Sequence, residues 1–461
     1  MSKGRGDDRP VYRVLGYSTV AVVAVLVVAG GVGLAAWLLL TYGSGNEVDR
    51  GRLDAIKTAG AIVLGSGGLV ALWLAVRRQR TTEIALKQKD REHDHAERDA
   101  AERRTTELYT KAADQLGSDK APVRLAGMYA LERLAQSNPA QRQTVVNVLC
   151  AYLRMPYTPT VLTLASAHDP TLSVATEQTT PVGEQPAPED TTAQRQEVER
   201  YEQERQVRLT AQRILTAHLR PGDNPSLPVE TFWEKIDLDL TGATLLELDF
   251  SQCYIHAAEF GGAQFSGDAW FHRARFGGDV KFGGAHFSSE AQFSSTKFNG
   301  SAMFGGAQFG RDVWFGYAQF SESAWFSGAQ FNGDAWFSQV QFNGDAWFGG
   351  GQFNEDALFS DAQFSGGARF GGAQFNGNAL FDGVKFNKSA WLRRAQFNER
   401  AEFDEVRVRL DLLAEVMRTW PDNYIVTEPA SEADGHLPGH DGRWGHLVHA
   451  NTNNLPQHHA T

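Results

Sequence analysis

The chain has 461 residues, a formal net charge of −11, 46 glycines, 28 phenylalanines and two cysteines. At about 150 residues per domain this is the length of roughly three folded units, yet 26 of the phenylalanines fall between Phe260 and Phe403, which excludes one ordinary globular enzyme domain. The isolated Cys150 and Cys253 exclude a disulfide framework or a four-thiolate zinc site, and the acidic balance argues against direct nucleic-acid binding, which needs basic side chains to displace counterions.

Residues 1–13 are a basic N-terminus, with Lys3, Arg5, Arg9 and Arg13, expected to be cytosolic. No charged side chain occurs from Val14 to Tyr42, or in a shorter, glycine-rich run from Thr58 to Val76. The first run exceeds the roughly 20 residues that cross a bilayer as a helix and is too long for the apolar core of a cleaved signal peptide. Transmembrane helices are therefore expected at 14–42 and 58–76, joined as a hairpin in the lipid bilayer. Basic residues flank the pair on its outer ends (Arg77, Arg78 and Arg80 come after the second run), whereas the intervening loop is balanced. The positive-inside rule then puts both termini in the cytosol, as expected of a multi-pass protein of a bacterial inner membrane. Small residues at helical spacing, such as Ala29/Gly33 and Gly67/Ala71/Ala75, suit close packing, either within the hairpin or in a homodimer. Neither run holds an ionisable group for an ion pathway.

Residues 77–104 mix both signs of charge with few apolar positions and predict a solvated helical stalk. The sustained apolar heptads of a strict coiled coil are missing. Residues 105–154 predict a helical module, whose last helix presents Val145, Val146, Leu149, Tyr152 and Leu153 on one face. Rich in Pro, Thr and acid, residues 155–190 predict a disordered linker. A helix over 191–220 is expected to lead into the phenylalanine-rich segment.

From Phe260 to Phe381 phenylalanine recurs every 11 residues, with Leu392 and Phe403 continuing the series. A second series, from Phe265 to Phe397, trails it by five. Ala or Val stands two residues before nearly every member, and Leu245, Phe250, Ile255 and Phe260 step by five alone. These residues, with DLDLTGATLLELDFSQC at Asp237 to Cys253 and AQFNGDAWF at Ala329 to Phe337, resemble the pentapeptide-repeat family over residues 236–403. That resemblance implies a right-handed quadrilateral β-helix with the Phe and the small residue pointing inward. The expected fold class is thus a membrane-anchored α + β-solenoid: transmembrane hairpin, cytosolic helices, then the β-helix. Helical module before tower is an order similar to that of actinobacterial membrane proteins. Alternating steps of five and six predict a coil of 22 residues, where ordinary repeats take 20.

That geometry sets the outward positions. Gln264, Gln308, Gln330 and their equivalents form an amide column expected to hydrogen-bond between coils. Trp270, Trp314, Trp325, Trp336, Trp347 and Trp391 are a candidate interaction surface, either for a protein partner or for the chain's own helices. Asp268, Glu290, Asp312, Asp334 and Asp356 recur every 22 residues as a candidate acidic stripe, and no Lys or Arg occurs between Asp312 and Ala368. The stripe serves either recognition or solubility. For soluble relatives the resemblance implies DNA mimicry and binding to a type II topoisomerase such as gyrase.

No phosphate-binding glycine motif, metalloprotease motif or paired CxxC occurs, so no enzymatic activity, cofactor or metal is expected. Residues 404–420 predict a capping helix (Val406, Leu410, Leu413, Met417), and residues 421–461 a disordered tail. The functional expectation is an inner-membrane-anchored scaffold for protein–protein interaction.

Overall fold

The computed structural model describes residues 93–157, 188–412, 417–429, 431 and 435–450, with isolated positions before residue 93. The expected spans 14–42 and 58–76 lie, apart from such isolated positions, outside the described residues, and so does most of the linker at 155–190. Among the described residues no helix is long and apolar enough to cross a membrane. The chain divides into two compact units, Met1–Glu102 and Arg103–Thr461.

In the first unit residues 93–102 are helical and exposed, as both signs of charge without an apolar stripe dictate. In the second, residues 103–116 are helical and precede α1 (Ala121–Ser137), a 3-10 turn (Pro139–Gln141), α2 (Arg142–Arg154) and α3 (Pro188–Leu219). Pro122 starts α1, where a missing N–H costs nothing. Met128 and Leu131 of α1, Val145 and Leu149 of α2, and Ala211 and Leu215 of α3 form one core. Without a break, that core continues into the β-solenoid through Trp233 and Leu238, because α2 and α3 pack on its first strands.

The solenoid is built from short parallel strands in four sheets, one per side of the coil. Face one starts at Asp237–Asp239, face two at Thr244–Leu246, face three at Ala269–Trp270 and face four at Tyr254–Ile255. About eight coils stack, face two having 8 strands. Register records the change of repeat directly. Asp237 pairs with Ala257, 20 residues on, Tyr254 with Arg275, 21 on, and Ala291 with Val313, 22 on. The first coil therefore has the ordinary five-residue sides, and the tower widens to 22 residues where the six-residue steps begin.

Alternation along each strand sends the small residue and the Phe inward. Phe337 shows the result: it is fully buried, stacked on Phe315 and Phe359 with both centroids at 4.9 Å, and edge-on to Phe326 and Phe348 at 5.4 Å. Offset stacks above and below with edge contacts across satisfy the ring quadrupole in every direction. Where Ala or Val gives way to Thr296, the buried hydroxyl donates to Phe271 O at 2.7 Å.

Two kinds of corner alternate. After the first-series Phe from Phe260 to Phe381 the carbonyl accepts an N–H three residues on, as Phe260 does from Ala263 at 3.0 Å, and the second of the two residues between them has positive φ (Gly262, +65°). Positive φ at that single position defines a type II turn. The corner from face one to face two uses Gly262, Gly284, Gly306, Gly328, Gly350 and Gly372. The corner from face three to face four places Arg273, Ser295, Tyr317, Gln339 and Asp361 in the same left-handed conformation. Corners after the second-series Phe hold the sixth residue and press successive coils together: a methyl group at Gly366 would overlap the Gly344 carbonyl.

Two expectations at the C-terminal end are corrected. Residues 404–420 do not form a capping helix in their described part. Val406 and Val408 are buried at alternate positions, Arg407–Arg409 extends face four, and Arg418–Thr419 extends face one. The period-two burial of the solenoid overrides the helical spacing of Leu410, Leu413 and Met417. Nor is the tail at 421–461 disordered throughout: Tyr424–Thr427 and Trp444–His449 pair antiparallel, and the second also pairs with Arg407–Arg409. Buried Trp444 and Leu447 carry this pair onto the last coil, so strands, not a helix, cover the open edge of face four.

Candidate interaction surface

With the interior filled by Phe, what the tower offers is its outer face, and register decides which outward side chains become neighbours. Trp314 and Trp336 are paired on face three, which also carries Trp270 and, one and two coils past Trp336, Leu358 and Leu380. Trp325 and Trp347 are paired on face one, with ring centroids 6.2 Å apart, and Trp391 lies two coils beyond Trp347. Trp270 and Trp325 are 39% and 45% exposed; the other four are half-buried. Helices α2 and α3 pack on the first strands of faces one and two, coils before the Trp314/Trp336 and Trp325/Trp347 pairs.

Face one holds an internal guanidinium. Arg369 Cζ sits 3.6 Å from the Trp347 ring centroid and 4.1 Å from that of Trp391, sandwiched in a double cation–π contact. Its Nη2 is 3.6 Å from Asp345 Oδ2. Asp345 Oδ1 meanwhile accepts the Gly367 N–H at 2.8 Å. One carboxylate thus caps the backbone of the next coil and faces an arginine at the same time.

The five stripe acids stand at one corner, where face two turns into face three, on successive coils. Asp312 Oδ1 accepts the Asp334 N–H (3.0 Å), Asp334 Oδ1 the Asp356 N–H (3.1 Å) and Asp356 Oδ1 the Asn378 N–H (2.9 Å). Asp268 instead accepts the Ser289 hydroxyl at 2.6 Å. The first task of Asp312, Asp334 and Asp356 is therefore to satisfy corner N–H groups that no strand reaches. Burial, then the charges of Asp268 and Asp312, push the Glu290 carboxyl above its usual range. Asp334 is raised too, by burial and by Asp312 and Asp356, against the lowering effect of its bond to the Asp356 N–H.

The expected amide column is corrected. Among the described residues no hydrogen bond joins successive Gln side chains, whereas Asn332, Asn354, Asn376 and Asn398 form a ladder with Nδ2–Oδ1 distances of 2.7–2.9 Å. These Asn occupy a corner, where a short side chain points along the tower axis to its neighbour 22 residues away. Gln on a flat face is aimed outward.

Sequence reasoning missed a polar cluster between α2 and α3. Buried Arg208 bonds Glu204 through Nε (3.0 Å) and the carbonyls of Leu153 and Met155 through Nη1 and Nη2 (2.9 and 2.6 Å). Arg124 (3.0 Å) and the Tyr152 hydroxyl (2.8 Å) complete the Glu204 carboxylate. Burial lowers the Arg208 pKa, and Glu204 opposes it. Burial together with Glu204 raises Tyr152, burial being the larger cause. The signal available was the Glu204/Arg208 pair at i, i+4, but the carbonyls it fastens belong to residues over 50 positions away. This cluster clamps the end of α2, and an open cleft of about 960 Å³ lies over it, with Arg200 and Tyr157 in its lining. Among the described residues no group of His, Cys, Asp and Glu could hold a metal ion.

No curated protein matches the chain. The family model described as pentapeptide repeats (9 copies) matches residues 240–285, 271–319, 315–363 and 359–407. The matched segments coincide with the coils of the tower, and residues 240–407 therefore constitute a pentapeptide-repeat β-solenoid.

Proposed function

We propose that this protein is a non-enzymatic scaffold, held in a bacterial inner membrane by helices at 14–42 and 58–76, that presents its pentapeptide-repeat tower to a protein partner in the cytosol. The observation that carries this reading is the pairing of Trp314 with Trp336 and of Trp325 with Trp347 on outer faces, coils away from the first strands on which α2 and α3 pack. Rows of aromatic side chains on a rigid support lose little entropy on binding, and contiguous apolar surface on a soluble domain marks a contact site. Two uncharged runs with basic flanks support the anchoring, as do the helical positions described between 22 and 41, where Val25 and Leu40 are 66% and 88% exposed. Side chains of that kind gain most in a lipid environment.

A photo-crosslinking residue introduced at Trp325 or Trp314 in the full chain, with mass spectrometry of the products from intact cells, tests the scaffold. Reproducible recovery of a partner at these sites, absent when the crosslinker is placed at Arg133 on α1, is the expected result. Recovery of none refutes it. The topology is refuted if a reporter fused at Thr461 is active only outside the cytoplasm.

A further inference from the structure

The Asp345–Trp347–Arg369 arrangement on face one is repeated on face three without its arginine. On face one, Asp345 spends Oδ1 on the N–H of the next coil, turns Oδ2 toward a guanidinium, and Trp347 two residues on provides the ring beneath it. Asp312–Val313–Trp314 and Asp334–Ala335–Trp336 repeat the same spacing on face three, with Oδ1 spent in the same way on the Asp334 and Asp356 N–H groups. Where Arg369 lies one coil past Trp347, Trp336 lies one coil past Trp314 and Leu358 one coil past Trp336. Among the described residues neither Asp312 Oδ2 nor Asp334 Oδ2 has a partner, and no arginine covers either indole.

We propose that face three receives arginine side chains from a partner, each guanidinium lying over Trp314 or Trp336 against the free oxygen of Asp312 or Asp334, and that the partner presents them from one edge of an amphipathic helix. This inference rests on the scaffold reading and names the partner's chemistry. Charge complementarity selects a cationic occupant, since the corner carries a carboxylate on each of five coils and the chain from Asp312 to Ala368 has no Lys or Arg. Spacing selects a helix. Coils repeat at about 4.8 Å and an α-helix at 5.4 Å per turn, so a helix tilted by about 27° to the tower axis puts one side chain per turn on each coil. A β-strand, at about 3.3 Å per residue and 6.6 Å per outward pair, would need a tilt of about 43° and would drift sideways by about 4.5 Å per coil, against about 2.5 Å for the helix. The apolar edge of the same helix would rest on Leu358 and the indole rims. Arginine is selected over lysine because a planar guanidinium stacks on indole while its N–H edge meets a carboxylate.

The test uses the full chain in detergent and a fluorescein-labelled 15-residue amphipathic helix with arginine at i, i+4, i+7 and i+11, read by fluorescence anisotropy. Replacing all four arginines by lysine on the unaltered chain is expected to weaken binding at least threefold. Asp312→Asn with Asp334→Asn, which keeps the Oδ1 acceptors, and separately Trp314→Leu with Trp336→Leu, should each weaken it about tenfold or more. Trp325→Leu on face one should leave it unchanged. Far-UV circular dichroism melts verify that each variant is folded, and the arginine–lysine comparison needs no variant at all. Absence of binding, or equal affinity for both peptides together with indifference to the face-three variants, overturns the inference. A partner crosslinked in cells through face one alone would leave the scaffold standing and remove this site; arginine-peptide binding with no cellular partner would do the reverse.

Discussion

Phe337→Ala removes a ring from the middle of the stack. Phe337 is fully buried and lies 4.9 Å from the rings of both Phe315 and Phe359, with two further rings edge-on at 5.4 Å. Phe→Ala in a packed core costs about 3–5 kcal/mol. The upper half of that range applies here, because neighbours 22 residues away on either side are held by backbone pairing and cannot collapse into the gap, and each lost aromatic pair adds about 0.5–1.5 kcal/mol to the area term. Phe397 stacks on Phe375 at 4.9 Å on the last coil of face two and is only half-buried. Its truncation should cost about half as much. With a urea m-value near 3 kcal/mol/M, a loss of 4 kcal/mol moves the unfolding midpoint by about 1.3 M. Urea titration of the full chain and both variants, monitored by Trp fluorescence and by circular dichroism, measures the shifts. Equal midpoint shifts for the two variants, or a shift below about 0.5 M for Phe337→Ala, would refute the view that the ring ladder is the main source of cohesion.

Other outcomes are open to measurement. Gly366→Ala drives a methyl into the Gly344 carbonyl and should lower stability by about 1–3 kcal/mol, whereas Gly306→Asn, at positive φ with open space around it, should cost less than about 1 kcal/mol; thermal melts of the two rank them. Burial pushes the thiols of Cys150 and Cys253 up to about 12, so neither should react with a thiol reagent at pH 8 until denaturant is added. The unfolded thiols ionise near pH 8.5 and the folded ones do not, so this part of the stability is present below about pH 8.5 and lost as pH rises toward 12; Cys150→Ala should flatten that alkaline decline. Glu290 has a raised pKa from burial and from Asp268 and Asp312, so its ionised form opposes folding. Glu290→Gln should raise the melting temperature at pH 7, and the gain should vanish at a pH low enough to protonate Glu290 in the parent chain.

The solenoid was legible because its cause is periodic. A Phe every 11 residues with Ala or Val two positions earlier specifies which side chains face in, and the alternation of five and six specifies a 22-residue coil. The first coil of 20 was legible too, in the even steps from Leu245 to Phe260. Side chains that interact along the axis were harder to read, since reach and direction matter as well as spacing: Gln and Asn both recur at the coil interval, but only the corner Asn bond one another. The C-terminal cover was misread because Leu410, Leu413 and Met417 have helical spacing, while Val406 and Val408 are drawn inward by the template of the coil beneath them. A template in space leaves no mark in local periodicity. Nor did the Arg208 cluster, whose carbonyl partners are separated from it by the whole linker.

The two kinds of positive-φ corner have a consequence for the tower as an object. Inside, an 11-residue half-coil repeats almost unchanged, so the Phe core has a near two-fold screw axis running along it and cannot tell face one from face three. Outside, that symmetry is broken: one edge is a column of bare glycine backbone from Gly262 to Gly372, and the opposite edge carries Arg273, Ser295, Tyr317, Gln339 and Asp361 at the matching positions. Rotating the tower by half a turn therefore restores its interior and exchanges a smooth edge for a decorated one. Anything that grips it from the side meets a handle with a front and a back.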